Sequence, residues 1–341
     1  TSCILWEYGG RFARAALLGY LLQYMTTEPA PGAPQPLTRF WQPRYWLIWV
    51  GLGWLRLMSL LPVRGQLAAG RGLGKLVYWL LPERRRIAAN NLGLCFPEMA
   101  TTHREELLHR NFASLGMTLM EHGLAWWASD ALVERCVAVR GANHLREALA
   151  TGRGVVLLTG HFGAQEFTGR MLRSIMPTFG ALYRPNRNAF VDAILMRIRA
   201  RSASLMIPKQ SMRRMIRALR NGTPVWYAPD QSQRGPMSAL IPFLGEPAMT
   251  TTALSEIVRL GNALVVPVLP MRLAAPGRYT LEILPALTNF PGATTEQDAI
   301  RVNALLEAHI RKAPEQYYWI HRRFKGRPAP LPDPYEKGTG P

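Results

Sequence analysis

The stretch Val155-Val156-Leu157-Leu158-Thr159-Gly160-His161-Phe162-Gly163-Ala164-Gln165-Glu166 decides the fold. Its apolar first half predicts a short buried strand, and Gly160 marks the turn where that strand ends. A helical pattern follows from Gln165 to Ile175, so the chain passes directly from a strand into a helix. His161 therefore lies at the carboxyl end of a buried strand, which is where α/β folds bind their ligands.

Strands and helices alternate along the chain on both sides of this stretch. Further strands are predicted at 179–183, 225–228, 263–269 and 279–284, and further helices at 105–127, 188–200, 212–220, 252–260 and 296–312. This alternation is typical of a sheet with helices packed over it. The sequence therefore predicts an α/β domain, which we place at residues 83–328.

The segments outside this domain have different compositions. Residues 1–36 include a run rich in Pro, Gly and Ala and are predicted to be a linker or a non-native N-terminal extension. Residues 37–82 are predicted to be a helical region that anchors the protein to a membrane. Residues 329–341, which are rich in proline, are predicted to be a loose tail.

The predicted anchor rests on residues 46–61, WLIWVGLGWLRLMSLL, an almost continuous apolar run with cationic side chains on both flanks. Three interpretations are open: a short single-pass anchor, a helix that lies in the membrane interface, or a buried core helix. The tryptophans and the flanking cations favour membrane contact. More cations follow the run than precede it, so we expect the bulk of the protein on the cytoplasmic side.

The composition predicts an anionic partner. Hydrophobic residues make up 48% of the 341 residues, which excludes a largely disordered chain. Lys and Arg number 41 against 22 Asp and Glu, and nearly all of these cations are arginines, whose planar side chain binds phosphate and carboxylate bidentately. Nucleic acid, an anionic membrane surface and a phosphorylated substrate all fit this charge, although a biased genome composition also raises the arginine content.

His161 and Glu166 are the candidate catalytic pair. The short turn between them would let the carboxylate orient the imidazole and stabilise its protonated form. No nucleophile accompanies them, because there is no G-x-S-x-G motif and neither Cys95 nor Cys136 has an activating neighbour in the sequence. Such a pair suits direct transfer, in which the histidine deprotonates an acceptor hydroxyl that attacks an activated acyl group. A purely structural histidine is the alternative.

The sequence indicates no metal or nucleotide motif. The three cysteines are too few and too scattered for a zinc site or a disulfide framework, and no two histidines have metal-ligand spacing. The segment from Gly70 to Lys75, GRGLGK, has neither the glycine spacing nor the final Ser or Thr of a P-loop. We therefore expect no metal.

Charged residues near the ends of predicted elements form further candidate sites. Arg184 follows a predicted strand, and Arg199 lies at the end of the next helix, where a solvated helix face is the alternative. Asp230 follows the strand at 225–228 and either enters the site or only caps a turn. The basic run from His321 to Arg327 is either solvated surface or a site for phosphate.

Eight blocks of the sequence resemble the lipid A biosynthesis lauroyl acyltransferase family, the late acyltransferases of lipopolysaccharide assembly. The resemblance extends over about residues 44–328. The blocks are Arg44 to Leu47, Asn91 to Glu98, Ser114 to Met117, His161 to Glu166, Tyr183 to Pro185, Val225 to Gln231, Ala313 to Tyr317, and His321 to Lys325. Their occurrence in this order is what makes the resemblance specific.

The resemblance implies a glycerolipid-acyltransferase-like α/β fold with one N-terminal membrane helix, on the cytoplasmic face of the bacterial inner membrane. It implies transfer of a fatty acyl chain, lauroyl or similar, onto a hydroxyacyl chain of a Kdo-bearing lipid A precursor. The donor would be the phosphopantetheine thioester of acyl carrier protein, with no cofactor. Membrane lipids are the third expected partner.

The resemblance also assigns roles to residues. His161 would be the general base and Glu166 the orienting carboxylate, while Arg199 and Asp230 fall on functionally important family positions. Together with Arg184 and the pair Arg322 and Arg323, these two residues are expected to bind substrate. Acylation of a lyso-phospholipid or another amphiphile is the alternative reaction. A non-enzymatic binder of membrane surfaces or nucleic acid is the alternative class, but no nucleic-acid reading module is evident and no nucleic acid is expected.

Overall fold

The computed structural model describes residues 36–176, 178–209 and 211–336, so the predicted N-terminal linker lies almost entirely outside the described residues. The strands within the described residues are β1 (Val137–Arg140), β2 (Gly154–Leu158), β3 (Gly180–Tyr183), β4 (Leu205–Pro208), β5 (Val225–Tyr227), β6 (Ser238–Phe243), β7 (Glu246–Thr251), β8 (Ala263–Arg272) and β9 (Tyr279–Ile283). They fall into one large sheet and one hairpin.

The large sheet has seven strands in the order β1-β9-β8-β2-β5-β3-β4. All neighbouring strands are parallel except β8 and β9. Strands β6 and β7 form the separate antiparallel hairpin, and its two turn residues, Leu244 and Gly245, both have positive φ angles. The α/β prediction is confirmed, and β2, which precedes His161, is the central strand of the sheet.

The helices lie before the sheet and between its strands. They are α1 (Trp46–Met58), α2 (Val63–Leu80), α3 (Pro82–Cys95), α4 (Thr101–Trp127), α5 (Asp130–Cys136), α6 (Ala142–Ala150), α7 (Gln165–Thr168), α8 (Ala189–Arg199), α9 (Met212–Arg220), α10 (Ala253–Gly261) and α11 (Thr295–Lys312). Short 3₁₀ helices occupy Leu37–Phe40, Pro43–Tyr45, Gly169–Ser174 and Pro314–Gln316. The helix predicted at 165–175 is therefore one α-helical turn, α7, continued as a 3₁₀ helix.

Strand β2 is buried along its whole length because helices cover both faces of the sheet. Val156 and Leu158 belong to one hydrophobic cluster, to which α9, α10 and α11 contribute. Val155 and Leu157 belong to the opposite cluster, to which α6 and α7 contribute. Since side chains alternate across a strand, one apolar run supplies both clusters. The residues that follow β2 thus project from the most firmly packed part of the fold.

Helices α2 and α4 pack closely at three glycines. A Cβ on Gly74 of α2 would collide with the carbonyl oxygen of Phe112 in α4. A Cβ on Gly116 of α4 would collide with the carbonyl oxygen of Gly70 in α2. The GRGLGK segment, which lacks P-loop spacing, is therefore a surface on which two helices meet.

Of the three interpretations of the apolar run at 46–61, the single-pass anchor finds no support in the described structure. No helix in the described part of the chain is both long and apolar enough to cross a bilayer. The run forms α1, which has 13 residues and ends at Met58. Only Leu55 of α1 is buried, whereas Leu47 and Val50 are 83% and 68% exposed, which excludes the buried-core interpretation as well.

The part of the predicted loose tail that is described, residues 329–336, packs against the domain. Tyr335 is buried, and its hydroxyl donates to Oδ1 of Asn91 and accepts a 3.0 Å hydrogen bond from the backbone N–H of Phe324. The proline content of this segment does not reveal that Tyr335 is buried. Residues 337–341 lie outside the described residues.

Candidate active site

The candidate active site forms where β2 and β5 end. These strands are parallel neighbours with Leu158 opposite Tyr227, so the chain leaves both at the same edge of the sheet. Oδ1 of Asp230 lies 2.7 Å from Nδ1 of His161, and Oδ2 accepts a 2.9 Å hydrogen bond from the His161 backbone N–H. A carboxylate at Nδ1 selects the tautomer that leaves Nε2 available as a base.

Asp230 remains a carboxylate although it is fully buried. Burial by itself raises its pKa, but the charge of His161 and the hydrogen bonds from His161 and Tyr317 outweigh burial. Together they hold the pKa of Asp230 well below its usual range. An ionised carboxylate in this position orients the imidazole and stabilises the imidazolium formed when the base takes a proton.

Glu166 does not have the position that the sequence predicted for it. Its Oε1 accepts a 2.8 Å hydrogen bond from Nε of Arg199, and no hydrogen bond joins it to His161 among the described residues. The turn at Ala164, where φ is +64°, begins α7 and sets Glu166 on the first turn of that helix, against α8. The structure therefore corrects the predicted pair to two pairs, His161 with Asp230 and Glu166 with Arg199.

The ionisation of Glu166 depends on its new partner. Burial acts to raise the pKa of Glu166, but the charge of Arg199, then that of His122, and the hydrogen bond from Arg199 lower it below its usual value. Arg199 responds in the opposite sense, since the charge of Glu166 raises its pKa against the effect of burial. The two side chains thus form a stable ion pair.

Both pairs border one open cavity of about 400 Å³. His161, Glu166 and Arg199 line it, together with apolar side chains such as Leu115 and Leu195. The side chain of His161 is 37% exposed, whereas Asp230 lies behind it with no exposed surface. The lining also contains many polar and charged side chains, and a cavity that combines apolar and convergent polar groups can bind a small molecule or the reacting end of a flexible chain.

Comparison with known proteins places the chain in a family. The sequence model of the family described as bacterial lipid A biosynthesis acyltransferase matches residues 34–326. The chain belongs to this family. It is 39% identical over 303 residues to the lipid A biosynthesis lauroyltransferase of Escherichia coli (strain K12), covering 89% of this chain and 99% of that protein.

One further relative and one solved structure are also similar to this lipid A acyltransferase. The lipid A biosynthesis palmitoleoyltransferase of the same E. coli strain is 38% identical over 290 residues, which cover 85% of this chain and 94% of that protein. A solved structure, the 1-acyl-sn-glycerophosphate (LPA) acyltransferase PlsC from Thermotoga maritima, is 14% identical and covers 68% of this chain and 99% of its own. The TM-score of this match is 0.32. The family resemblance that the sequence blocks indicated is confirmed.

The arginines expected to bind substrate in this acyltransferase do not lie together. Arg184 and Arg199 both line the cavity, but the guanidinium of Arg199 is held by Glu166. Lys209, which the sequence did not single out, lines the cavity next to Arg184. Its position follows from strand order, because β4 pairs with β3 and ends at the same edge.

The Arg322 and Arg323 pair is not at the main cavity. Nη2 of Arg322 donates a 2.8 Å hydrogen bond to Glu83 on α3. Arg323 is 2% exposed and donates to the carbonyl oxygen of Met249 at 2.9 Å and to the hydroxyl of Thr250 at 2.7 Å. Arg322 and Arg323 are adjacent on an irregular segment, and their side chains point in different directions. The two therefore do not form the predicted phosphate site in this structure.

Sequence reasoning missed the segment that holds the loop after β2, which carries His161. The N–H of Gly163 donates to the carbonyl oxygen of Gln316 at 2.8 Å, and the N–H of Tyr318 donates to that of His161 at 3.1 Å. Tyr317, between them, donates through its hydroxyl to Asp230 at 2.9 Å. The block from Ala313 to Tyr317 was part of the family resemblance, and this was its one signal in the sequence.

Neither described cysteine takes part in the site. Burial raises the pKa of the Cys95 thiol well above its usual value and also raises that of Cys136, so neither is poised as a thiolate nucleophile. Neither lines the cavity. Within the described residues, no group of three or more His, Cys, Asp or Glu side chains converges as metal ligands would.

Proposed function

We propose that this lipid A biosynthesis acyltransferase moves a fatty acyl chain from the phosphopantetheine thioester of acyl carrier protein to a hydroxyacyl chain of a Kdo-bearing lipid A precursor. The observation that carries the proposal is the His161–Asp230 pair at an open cavity, in a chain of this family. Lauroyl and palmitoleoyl are the acyl chains to test first, since the relatives named for them are almost equally similar to this chain.

The reaction needs no covalent enzyme intermediate. Nδ1 of His161 is engaged by Asp230, so Nε2 takes the proton from the acceptor hydroxyl as its oxygen attacks the thioester carbonyl carbon. The carbon–sulfur bond breaks when the tetrahedral intermediate collapses. The imidazolium then returns the proton to the leaving thiolate, and the products are an ester and a free thiol. Asp230 remains ionised throughout.

Arg199 supplies the positive charge that the tetrahedral intermediate requires. Glu166 fixes its guanidinium through Nε at the wall of the cavity, which leaves the Nη groups to interact with substrate. A preorganised donor near the developing oxyanion stabilises the transition state without reorganisation. In this proposal Glu166 is a positioning residue that acts through Arg199.

The protein works at the cytoplasmic face of the bacterial inner membrane in this proposal, attached through α1. The exposed apolar side chains of α1, among them Leu47 and Val50, suit a helix lying in the interface. Replacing both by Asp should move the protein from the membrane fraction to the soluble or aggregated fraction. If the double variant remains on membranes after a high-salt wash, α1 is not the attachment.

Product analysis tests the reaction itself. The purified protein is supplied with lauroyl and palmitoleoyl acyl carrier protein and, separately, with the Kdo-bearing tetraacylated precursor or a lyso-phospholipid. Mass spectrometry should show one added acyl chain on the precursor. His161→Ala and Asp230→Asn should each lower kcat on the order of a hundredfold or more. Faster acylation of the lyso-phospholipid by the wild type would overturn the acceptor assignment.

A further inference from the structure

Two cationic side chains meet at the edge of the sheet beside the active site. Arg184 directly follows β3 and Lys209 directly follows β4. These strands are parallel neighbours with Tyr183 opposite Pro208, and the N–H of Lys209 donates to the carbonyl oxygen of Tyr183 at 2.7 Å. The two residues therefore leave the sheet side by side, and both line the cavity that contains His161.

Neither cation has a carboxylate partner. None of the ion pairs within the described residues involves Arg184, Lys209 or Lys325. The two carboxylates that line the cavity are already engaged, since Glu166 pairs with Arg199 and Glu121 with Arg272, and Asp230 behind the cavity pairs with His161. This part of the site therefore carries positive charge that the protein does not neutralise.

The backbone of Lys325 lies near this pair of cations, although Lys325 does not line the cavity. Its carbonyl oxygen accepts a 3.0 Å hydrogen bond from Ser232, in the loop whose residues Gln231 and Gln233 line the cavity. Partial burial lowers the pKa of Lys209, and the charges of Arg184 and Lys325 lower it further, with only Asp230 acting in the other direction. Cations that repel one another at a cavity mouth gain stability when an anion binds between them.

We propose that Arg184 and Lys209 form a phosphate subsite in the catalytic cavity. The inference rests on the proposed function for its sources of phosphate, which are the phosphates of the glycolipid acceptor and the phosphodiester of the donor's phosphopantetheine arm. In either case the guanidinium fork of Arg184 and the ammonium group of Lys209 donate to the anionic oxygens and fix the reacting end of that substrate near His161.

A binding measurement tests the subsite independently of any turnover. The full chain in detergent solution is heated with inorganic phosphate or with chloride at equal ionic strength. Phosphate should raise the Tm of the wild type and of Lys75→Met, whose side chain is exposed on α2 away from the cavity. It should not raise the Tm of the Arg184→Met/Lys209→Met double variant. No protection of the wild type, or equal protection of the double variant, would overturn the proposal.

Steady-state kinetics then identify which substrate supplies the phosphate. The acceptor is compared with its dephosphorylated form, and acyl-4′-phosphopantetheine with acyl-pantetheine. The wild type should prefer one phosphorylated substrate by about tenfold or more in KM, and the double variant should lose that preference alone. If the double variant loses the preference for the phosphorylated acceptor, the glycolipid supplies the phosphate. If it loses the preference for the phosphorylated donor, the phosphopantetheine of the carrier supplies it. A double variant that keeps both wild-type preferences contradicts the subsite, whatever the thermal data show.

Discussion

The hydroxyl of Tyr317 donates a 2.9 Å hydrogen bond to Oδ2 of Asp230, the carboxylate whose Oδ1 engages Nδ1 of His161. Burial and then the charge of Asp230 raise the pKa of Tyr317 well above its usual value, so the hydroxyl stays protonated and remains a donor. A hydrogen bond to a charged group contributes about 1.5–3 kcal/mol. We therefore expect Tyr317→Phe to lower kcat by about tenfold, with KM nearly unchanged.

Tyr335→Phe is the matched control, because it also removes a buried hydroxyl but leaves Asp230 untouched. It should lose stability and keep kcat. Tyr317→Phe should instead lower kcat, because Asp230 loses a donor that stabilises its charge. Equal losses of kcat in both variants would show that Tyr317 has only a structural role.

The Glu166–Arg199 ion pair should act as one unit. Glu166→Gln and Arg199→Met should each lower kcat by about tenfold or more, and the double variant should be scarcely worse than the poorer single variant. Arg259→Met, which breaks the surface pair with Glu256, is the control and should retain full activity. If Glu166 instead orients His161 during turnover, Glu166→Gln will match His161→Ala while Arg199→Met stays near wild type.

Local patterns in the sequence predicted most of the elements around the site. Helix α9 has the predicted bounds, and β5 and β9 begin at the predicted residues, because short apolar runs between turn residues are local signals. Strand β1 was not predicted, since it has only four residues and pairs with β9, far away in the chain. The β6–β7 hairpin was also missed, although its two-residue turn at Leu244 and Gly245 carries a glycine signal.

The sequence predicted the residues of the candidate site individually, but it did not predict which of them pair with each other. His161 and Asp230 were both placed at strand ends, yet sequence does not reveal that β2 and β5 are neighbours. Short spacing therefore favoured Glu166 as the partner of His161. Strand order decides the matter, because it brings Asp230 to Nδ1 of His161 and leaves Glu166 facing α8. Tyr317 had no signal apart from the family resemblance of the block from Ala313 to Tyr317, since its role depends on a contact across the fold.

Two glycines on α2 allow the effect of helix packing on stability to be measured separately from the effect of helix propensity. Gly74 touches the backbone of Phe112, so Gly74→Ala should force α2 and α4 apart and destabilise the protein by about 1–3 kcal/mol. Gly72 lies in the same helix and has no atom within 4 Å of the position a methyl group would take, so Gly72→Ala should be neutral or stabilising by up to about 1 kcal/mol. Thermal unfolding of both variants measures the difference. Similar changes in Tm would show that α2 and α4 do not meet at these glycines.

His321 should make the stability of the protein depend on pH. Burial, followed by the charges of Lys325 and His161, lowers the pKa of His321 to about 4, and its Nε2 is buried without a hydrogen-bond partner in the described structure. In the unfolded chain a histidine titrates near about 6.5. Between these values the unfolded state binds a proton that the folded state does not, so stability falls as pH falls, by up to about 1.4 kcal/mol per pH unit.

His321→Leu removes this titrating group, so the decrease in Tm between about pH 7 and pH 5 should become smaller. Burial also lowers the pKa of His309, which acts in the same direction, so part of the decrease should remain. His103→Leu, at an exposed position of α4, is the control and should follow the wild type. Parallel Tm curves for the wild type and His321→Leu would mean that His321 binds protons equally in the folded and unfolded states, so that burial does not lower its pKa in the folded protein.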